Sequence, residues 1–156
     1  VKLKNVWGRG LAQIFASVSP QMQDEFDTQY MIRGLSEFGL VYYGCCEPLD
    51  KKIDVIEKIP NLRKISVTPW ADTESACEQI GERYVVASKP NPSLLACDVL
   101  NEEAVRSEME KIAQAIKRNH CSADIVLKDI STVHSNPQNL VRWHDIAMET
   151  LQKVFS

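Results

Sequence analysis

The sequence predicts an α/β protein built on a parallel sheet. Two observations carry this: four short β-prone runs recur along the chain, and each is followed by a segment of helical period. A third bounds it: 156 residues suffice for one domain, so residues 1–156 are read as a single domain or a fragment of a larger one. Right-handed crossovers set such strands side by side. The result is either a small open doubly wound sheet or part of a (β/α)8 barrel, because four βα units are half of the eight that close a barrel.

A loop and a long helix occupy residues 1–38. The first ten residues carry no helix or strand pattern, and an opening Val1 suggests a fragment. Ser19 is an N-cap with Pro20 at the first helical position, after which Met22, Phe26, Tyr30, Ile32, Leu35 and Phe38 trace an apolar stripe ended by Gly39. Strand one is Leu40-Val41-Tyr42-Tyr43, set between Gly39 and Gly44. Ile53, Ile56 and Ile59 mark a short helix stopped by Pro60. Strand two, residues 64–68, stops at Pro69, and a helix over 72–80 ends at Gly81. Strand three, residues 84–87, ends before Lys89-Pro90. The helix over 101–118 has Val105, Met109, Ile112 and Ile116 on one face, with Glu102 and Glu103 opening it and Lys117 and Arg118 closing it, as the helix dipole favours. Strand four covers residues 124–130. The last helix starts at Asn136-Pro137 and carries Leu140, Trp143, Ala147, Leu151 and Val154.

Composition excludes several classes of function. A formal net charge of −3 gives no overall positive field for nucleic acid or anionic lipid. Apolar runs are too short to span a membrane and no secretory signal opens the chain, so a cytoplasmic location is expected. Five cysteines without a Cys-x-x-Cys read as free thiols in a reducing compartment. Gly8-Arg9-Gly10 lacks both the third glycine and the preceding strand of a phosphate loop.

Ligands of parallel sheets bind at the carboxyl ends of the strands. The residues expected there form one candidate rim: Gly44-Cys45-Cys46-Glu47, Thr68-Pro69-Trp70, Lys89-Pro90-Asn91 and His134. Cys45 and Cys46 are either metal ligands or small buried hydrophobes, and on an extended chain their side chains would point to opposite faces. His134 is the one histidine at this end, as a site residue or a loop cap; His120 lies at the opposite end, and His144 on the apolar side of the last helix. Lys89 offers charge to an anionic substrate or belongs to a stiff solvent loop, and Trp70 stacks on a flat ligand or plugs the sheet end.

Three passages resemble one family. Ser19-Pro20-Gln21-Met22 with Glu25-Phe26, then Val41-Tyr42-Tyr43-Gly44-Cys45-Cys46, and later Val133-His134-Ser135-Asn136-Pro137-Gln138-Asn139-Leu140 are similar to the uroporphyrinogen decarboxylase superfamily, where a strand ends in His-x-Cys-Gly. Val67-Thr68-Pro69-Trp70-Ala71-Asp72 falls where that family has its next barrel strand. The resemblance implies the carboxy-terminal half of a TIM-type barrel. It also implies one of two activities: cofactor-free decarboxylation of a tetrapyrrole, or zinc-dependent methyl transfer between a corrinoid protein and an acceptor. The family's His ligand maps onto Tyr43 and its Cys onto Cys45, so the usual zinc set departs here. The favoured expectation is a corrinoid-linked methyltransferase parent with His134 and Glu47 as catalytic groups and Cys45 and Cys46 at zinc. Trp70, Lys89, Asn91 and Tyr43 would then hold a small-molecule substrate. A tetrapyrrole decarboxylase and a non-catalytic ligand-binding or assembly domain are the alternatives. A half-barrel alone is expected to be inactive and, through open edges at residues 40–43 and 125–130 and an uncovered apolar face, to form a homodimer.

Overall fold

The computed structural model describes every residue, Val1–Ser156. Five parallel strands form one sheet in the order β1-β2-β3-β4-β5. They are β1 (Trp7–Gly10), β2 (Leu40–Tyr43), β3 (Leu62–Val67), β4 (Val85–Ser88) and β5 (Ser122–Ile125). Helices α1 (Pro20–Gln23), α2 (Gln29–Leu35), α3 (Ile53–Ile56), α4 (Thr73–Ile80), α5 (Glu102–Arg118) and α6 (Gln138–Phe155) connect or follow them. Spatial order equals chain order, with no reversal, so right-handed crossovers set the helices on one side of the sheet. Accordingly α3 packs on α4, α4 on α5 and α5 on α6. The doubly wound alternative, which needs a point where strand order reverses, is not what forms.

One strand was not expected. Trp7-Gly8-Arg9-Gly10 lacks β-propensity because two of its four residues are glycine. The packing requires them: a Cβ at Gly8 would stand 2.7 Å from the Phe38 ring, and one at Gly10 would stand 2.8 Å from the Tyr43 ring. The residues 40–43 run is therefore an interior strand, paired on both sides, and the open edges are β1 and β5. The last strand is also shorter than residues 124–130. Its neighbour β4 ends at Ser88, and Pro90, having no N–H, cannot extend the ladder.

The core lies between sheet and helices. Val41, Ile65 and Val86 from the strands meet Ile53, Ile56, Ile80, Met109, Ile112 and Trp143 from the helices. The α5 stripe Val105, Met109, Ile112 and Ile116 is buried as its spacing predicts, and side-chain oxygens of Ser19, Asp72 and Asn101 cap α1, α4 and α5. The first helical segment is different. A π-helical turn over Asp24–Thr28 interrupts it, Met22, Phe26 and Tyr30 face outward, and Gln23, Asp27 and Thr28 are buried instead. Tyr43 explains the inversion. Its buried hydroxyl donates to Asp27 Oδ2 at 2.6 Å and accepts from Gln23 Nε2 at 2.9 Å, so this helix must turn polar groups inward.

The opposite face of the sheet is not the apolar surface that was expected. Trp7, Arg9, Tyr42, Lys64 and Asp124 occupy it, with Arg9 stacked 4.8 Å from the Tyr42 ring, Lys64 5.7 Å from the same ring, and Lys64 ion-paired with Asp124. No helix is long and apolar enough to cross a membrane.

Candidate functional site

The loops after β2, β3, β4 and β5 converge on a cleft of about 100 Å3 lined by Cys45, Cys46, Thr68, Trp70, Lys89, Lys128 and Asp129, among others. Gly44, with φ 97°, ends β2, so the two cysteines sit on a turn and not on an extended strand. Their side chains therefore do not diverge. The sulfurs lie 3.6 Å apart, and the Lys128 ammonium stands 3.3 Å from Cys45 Sγ and 3.0 Å from Cys46 Sγ. Asp129 Oδ2 pairs with Lys128 Nζ at 2.7 Å and accepts from Cys46 Sγ at 3.3 Å.

Backbone contacts hold this turn. Glu47, 3% exposed, accepts from Cys45 N through Oε2 and from Ala12 N through Oε1, both at 2.9 Å, tying the loop after β2 to the loop after β1. The Cys45 carbonyl accepts from Ser66 Oγ at 2.9 Å and from Lys89 Nζ at 2.6 Å. Lys89 donates to Ser66 Oγ as well.

The arrangement separates the two thiols. Burial works against a Cys45 thiolate, but hydrogen bonds from Cys46 and Lys128 and the charges of Lys128 and Lys89 outweigh it, so its pKa lies below the usual thiol value. Lys128 draws Cys46 down, yet burial, Cys45 and Asp129 together hold it above that value. Burial disfavours the Lys128 ammonium, but Asp129 and both sulfurs more than offset this and keep it protonated; Lys128 in turn keeps Asp129 ionised. Elsewhere burial pushes the Cys77 thiol up to about 12 and raises that of Cys121. The cleft thus holds two adjacent thiols of unequal acidity, Cys45 the more acidic.

The structure brings together Cys45, Cys46, Trp70 and Lys89 of the expected residues. Glu47 lies beneath the turn with both oxygens taken by amides. Tyr43 points into the helix-side core, where burial and then Asp27 raise its pKa. Asn91 accepts from Ser93 N and caps the turn Pro92–Leu95, lining a neighbouring groove with Glu108. His134, in a left-handed conformation, pairs with Asp98 in solvent and does not line the cleft. His144 is exposed beside Asp145, off the buried face of α6.

Two residues that matter here carry no role in the sequence pattern, and a third stands at the rim without one. Lys128 and Asp129 were read as the end of strand four; adjacent opposite charges closing an apolar run were the available signal. Thr68 both ends strand two and opens the expected rim, with no function assigned to its hydroxyl. It is 2% exposed, lines the cleft, and its Oγ1 has no hydrogen-bond partner.

The zinc that the resemblance implies does not fit these residues. Lys128 takes the space between the two sulfurs, where a dication would have to sit against an ammonium, and no group of three or more His, Cys, Asp or Glu is placed to hold a metal ion. No family model matches the chain, and no curated protein matches its sequence.

Proposed function

We propose that the cleft carries metal-free thiolate chemistry, with Cys45 as nucleophile toward the electrophilic carbon of a small molecule. The observation that carries this reading is the Lys128 ammonium within 3.3 Å of both sulfurs, at the carboxyl end of a parallel sheet. The step is a substitution: the Cys45 sulfur forms a bond to carbon, and the carbon's leaving group departs with the electron pair of the bond that breaks. Lys128 supplies the compensating charge, and Asp129 holds Lys128 in place. The buried tether of Glu47 keeps the turn in register.

We further propose that the sheet is one half of a barrel of the type found in the uroporphyrinogen decarboxylase superfamily. Sequential strand order and two open edges support this. Within that resemblance a thiolate favours the methyl-transfer branch, with a corrinoid-bound methyl group on a partner protein as donor, because decarboxylation makes no use of a sulfur nucleophile.

Alkylation by iodoacetamide from about pH 5 to about pH 9, read at each cysteine by mass spectrometry, tests the thiolate. Cys45 is expected to react at lower pH than Cys97, and Lys128→Met is expected to move its profile toward the free-thiol value of about 8.5. A Cys45 profile that coincides with Cys97 in the wild type, or is unmoved by Lys128→Met, would overturn the reading.

A further inference from the structure

We propose that the cleft binds the oxyanion of a small organic ligand, a carboxylate or phosphate group, between the Lys89 ammonium and the Thr68 hydroxyl beside the Cys45 sulfur. This rests on the thiolate reading for what the neighbouring sulfur does, and on different residues for the binding itself.

Lys89 is 4% exposed, and its ammonium donates only to neutral acceptors, the Cys45 carbonyl at 2.6 Å and Ser66 Oγ. The Tyr42 ring, 5.7 Å away, is neutral as well. No carboxylate lies within 4.0 Å of Lys89, whose charge reaches Cys45 and Asp129 without a direct bond to either side chain, whereas Lys128 has Asp129 at 2.7 Å and both sulfurs in contact. A buried ammonium normally has an anionic partner, because desolvation without one is unfavourable. Lys89 has three N–H donors and uses two.

Thr68 supplies the second donor. The residue lines the same cleft, and its Oγ1 is buried just beneath that surface and bonds to nothing, which is rare for a buried hydroxyl. One ammonium N–H and one hydroxyl, both without acceptors and both on residues that line one cavity, are what two oxygens of a single anionic group would satisfy. The volume sets the size of that group. About 100 Å3 is a few times the share of one water molecule, about 30 Å3 in the liquid, so the cleft takes the anionic head and leaves the rest of the ligand at the mouth. Trp70, 68% exposed there, offers it an apolar face.

The site can be tested in the intact chain by two measurements. Acetate and inorganic phosphate are titrated calorimetrically at constant ionic strength, which separates carboxylate from phosphate and does not depend on thiol reactivity. One of them is expected to bind saturably, and Thr68→Val, which keeps side-chain volume and removes a hydroxyl that bonds to nothing, is expected to lose about tenfold in affinity. Lys89→Met is expected to abolish binding; because it also breaks the contacts to Cys45 and Ser66, Thr68→Val is the decisive variant. The second measurement compares Cys45 alkylation by iodoacetate and by iodoacetamide, each normalised to Cys97. A preference for the anionic reagent that falls in Thr68→Val, with the iodoacetamide rate unchanged, supports the site. Equal, non-saturating heats for wild type and Thr68→Val would overturn it even where Cys45 reacts at low pH. Saturable binding with an unreactive Cys45 would keep the oxyanion site and remove the thiolate reading.

Discussion

Replacing Glu47 separates a structural carboxylate from a chemical one. Its two oxygens accept from Ala12 N and Cys45 N at 2.9 Å, and both the carboxylate and Ala12 are buried. Glu47→Ala strands both amides, and an unsatisfied buried donor costs about 1–3 kcal/mol. The Cys45 amide is nearer solvent and belongs at the low end, so about 2–4 kcal/mol is expected in all. For a chain of this size each kcal/mol moves Tm by about 2–4 °C, which gives a fall of roughly 4–16 °C. Glu47→Gln keeps one acceptor oxygen but turns an NH2 toward the other amide, so about half that fall is expected. Thermal unfolding followed by circular dichroism measures both, with Cys45 alkylation at neutral pH alongside. The tether predicts that lost stability and slowed alkylation rise together from Gln to Ala. A Glu47→Gln protein with wild-type Tm and no Cys45 reactivity would refute the argument and return Glu47 to an acid–base role.

Two further outcomes follow from other parts of the fold. Burial holds the Glu108 carboxyl above the usual carboxylate range, against the pull of Asn91 N and Lys111, and its Oε2 has no partner. Its folded pKa exceeds the unfolded one, so the stability it contributes is present below about pH 4.3 and is lost as pH rises through the folded value; burial gives Asp27 the same sign. Glu108→Gln is accordingly expected to raise Tm relative to wild type at neutral pH and not at about pH 4, and an equal shift at both would refute it. The open edges β1 and β5 are expected to make the chain a dimer at micromolar concentration by size exclusion with light scattering, dissociated by a charge at Val126, which is 44% exposed. A monomer of 17.6 kDa would count against this. Val41, fully buried in an interior strand, is unsuited to the test, since a charge there would unfold the chain.

The sequence by itself determined the elements whose signals are local. A period of 3.6 with charges matched to the dipole fixes α5, β-prone runs punctuated by Gly or Pro fix β2, β3 and β4, and Ser19, Asp72 and Asn101 mark helix starts. Because every βα unit delivers its loop to the same end of a parallel sheet, it also placed Cys45, Cys46, Trp70 and Lys89 at one rim. Contacts between distant segments were decided only by the tertiary structure. β1 exists because Phe38 and Tyr43 need glycine opposite them, not because its residues favour a strand. The first helical segment turns Gln23 and Asp27 inward because the Tyr43 hydroxyl, buried by the sheet, must be satisfied there, and that demand outweighs the apolar stripe. Glu47, Tyr43 and His134 have the right chemistry for a site, but the fold commits them to a tether, a core network and a surface contact with Asp98. Lys128 reaches the two sulfurs across 83 and 82 residues of chain, a pairing set by where β5 ends and how the chain turns at Asp129, with φ 58°. Periodicity reads a few residues at a time, whereas the placing of Lys128 against Cys45 depends on which loop ends beside which, and that is fixed only when all five strands have taken their order.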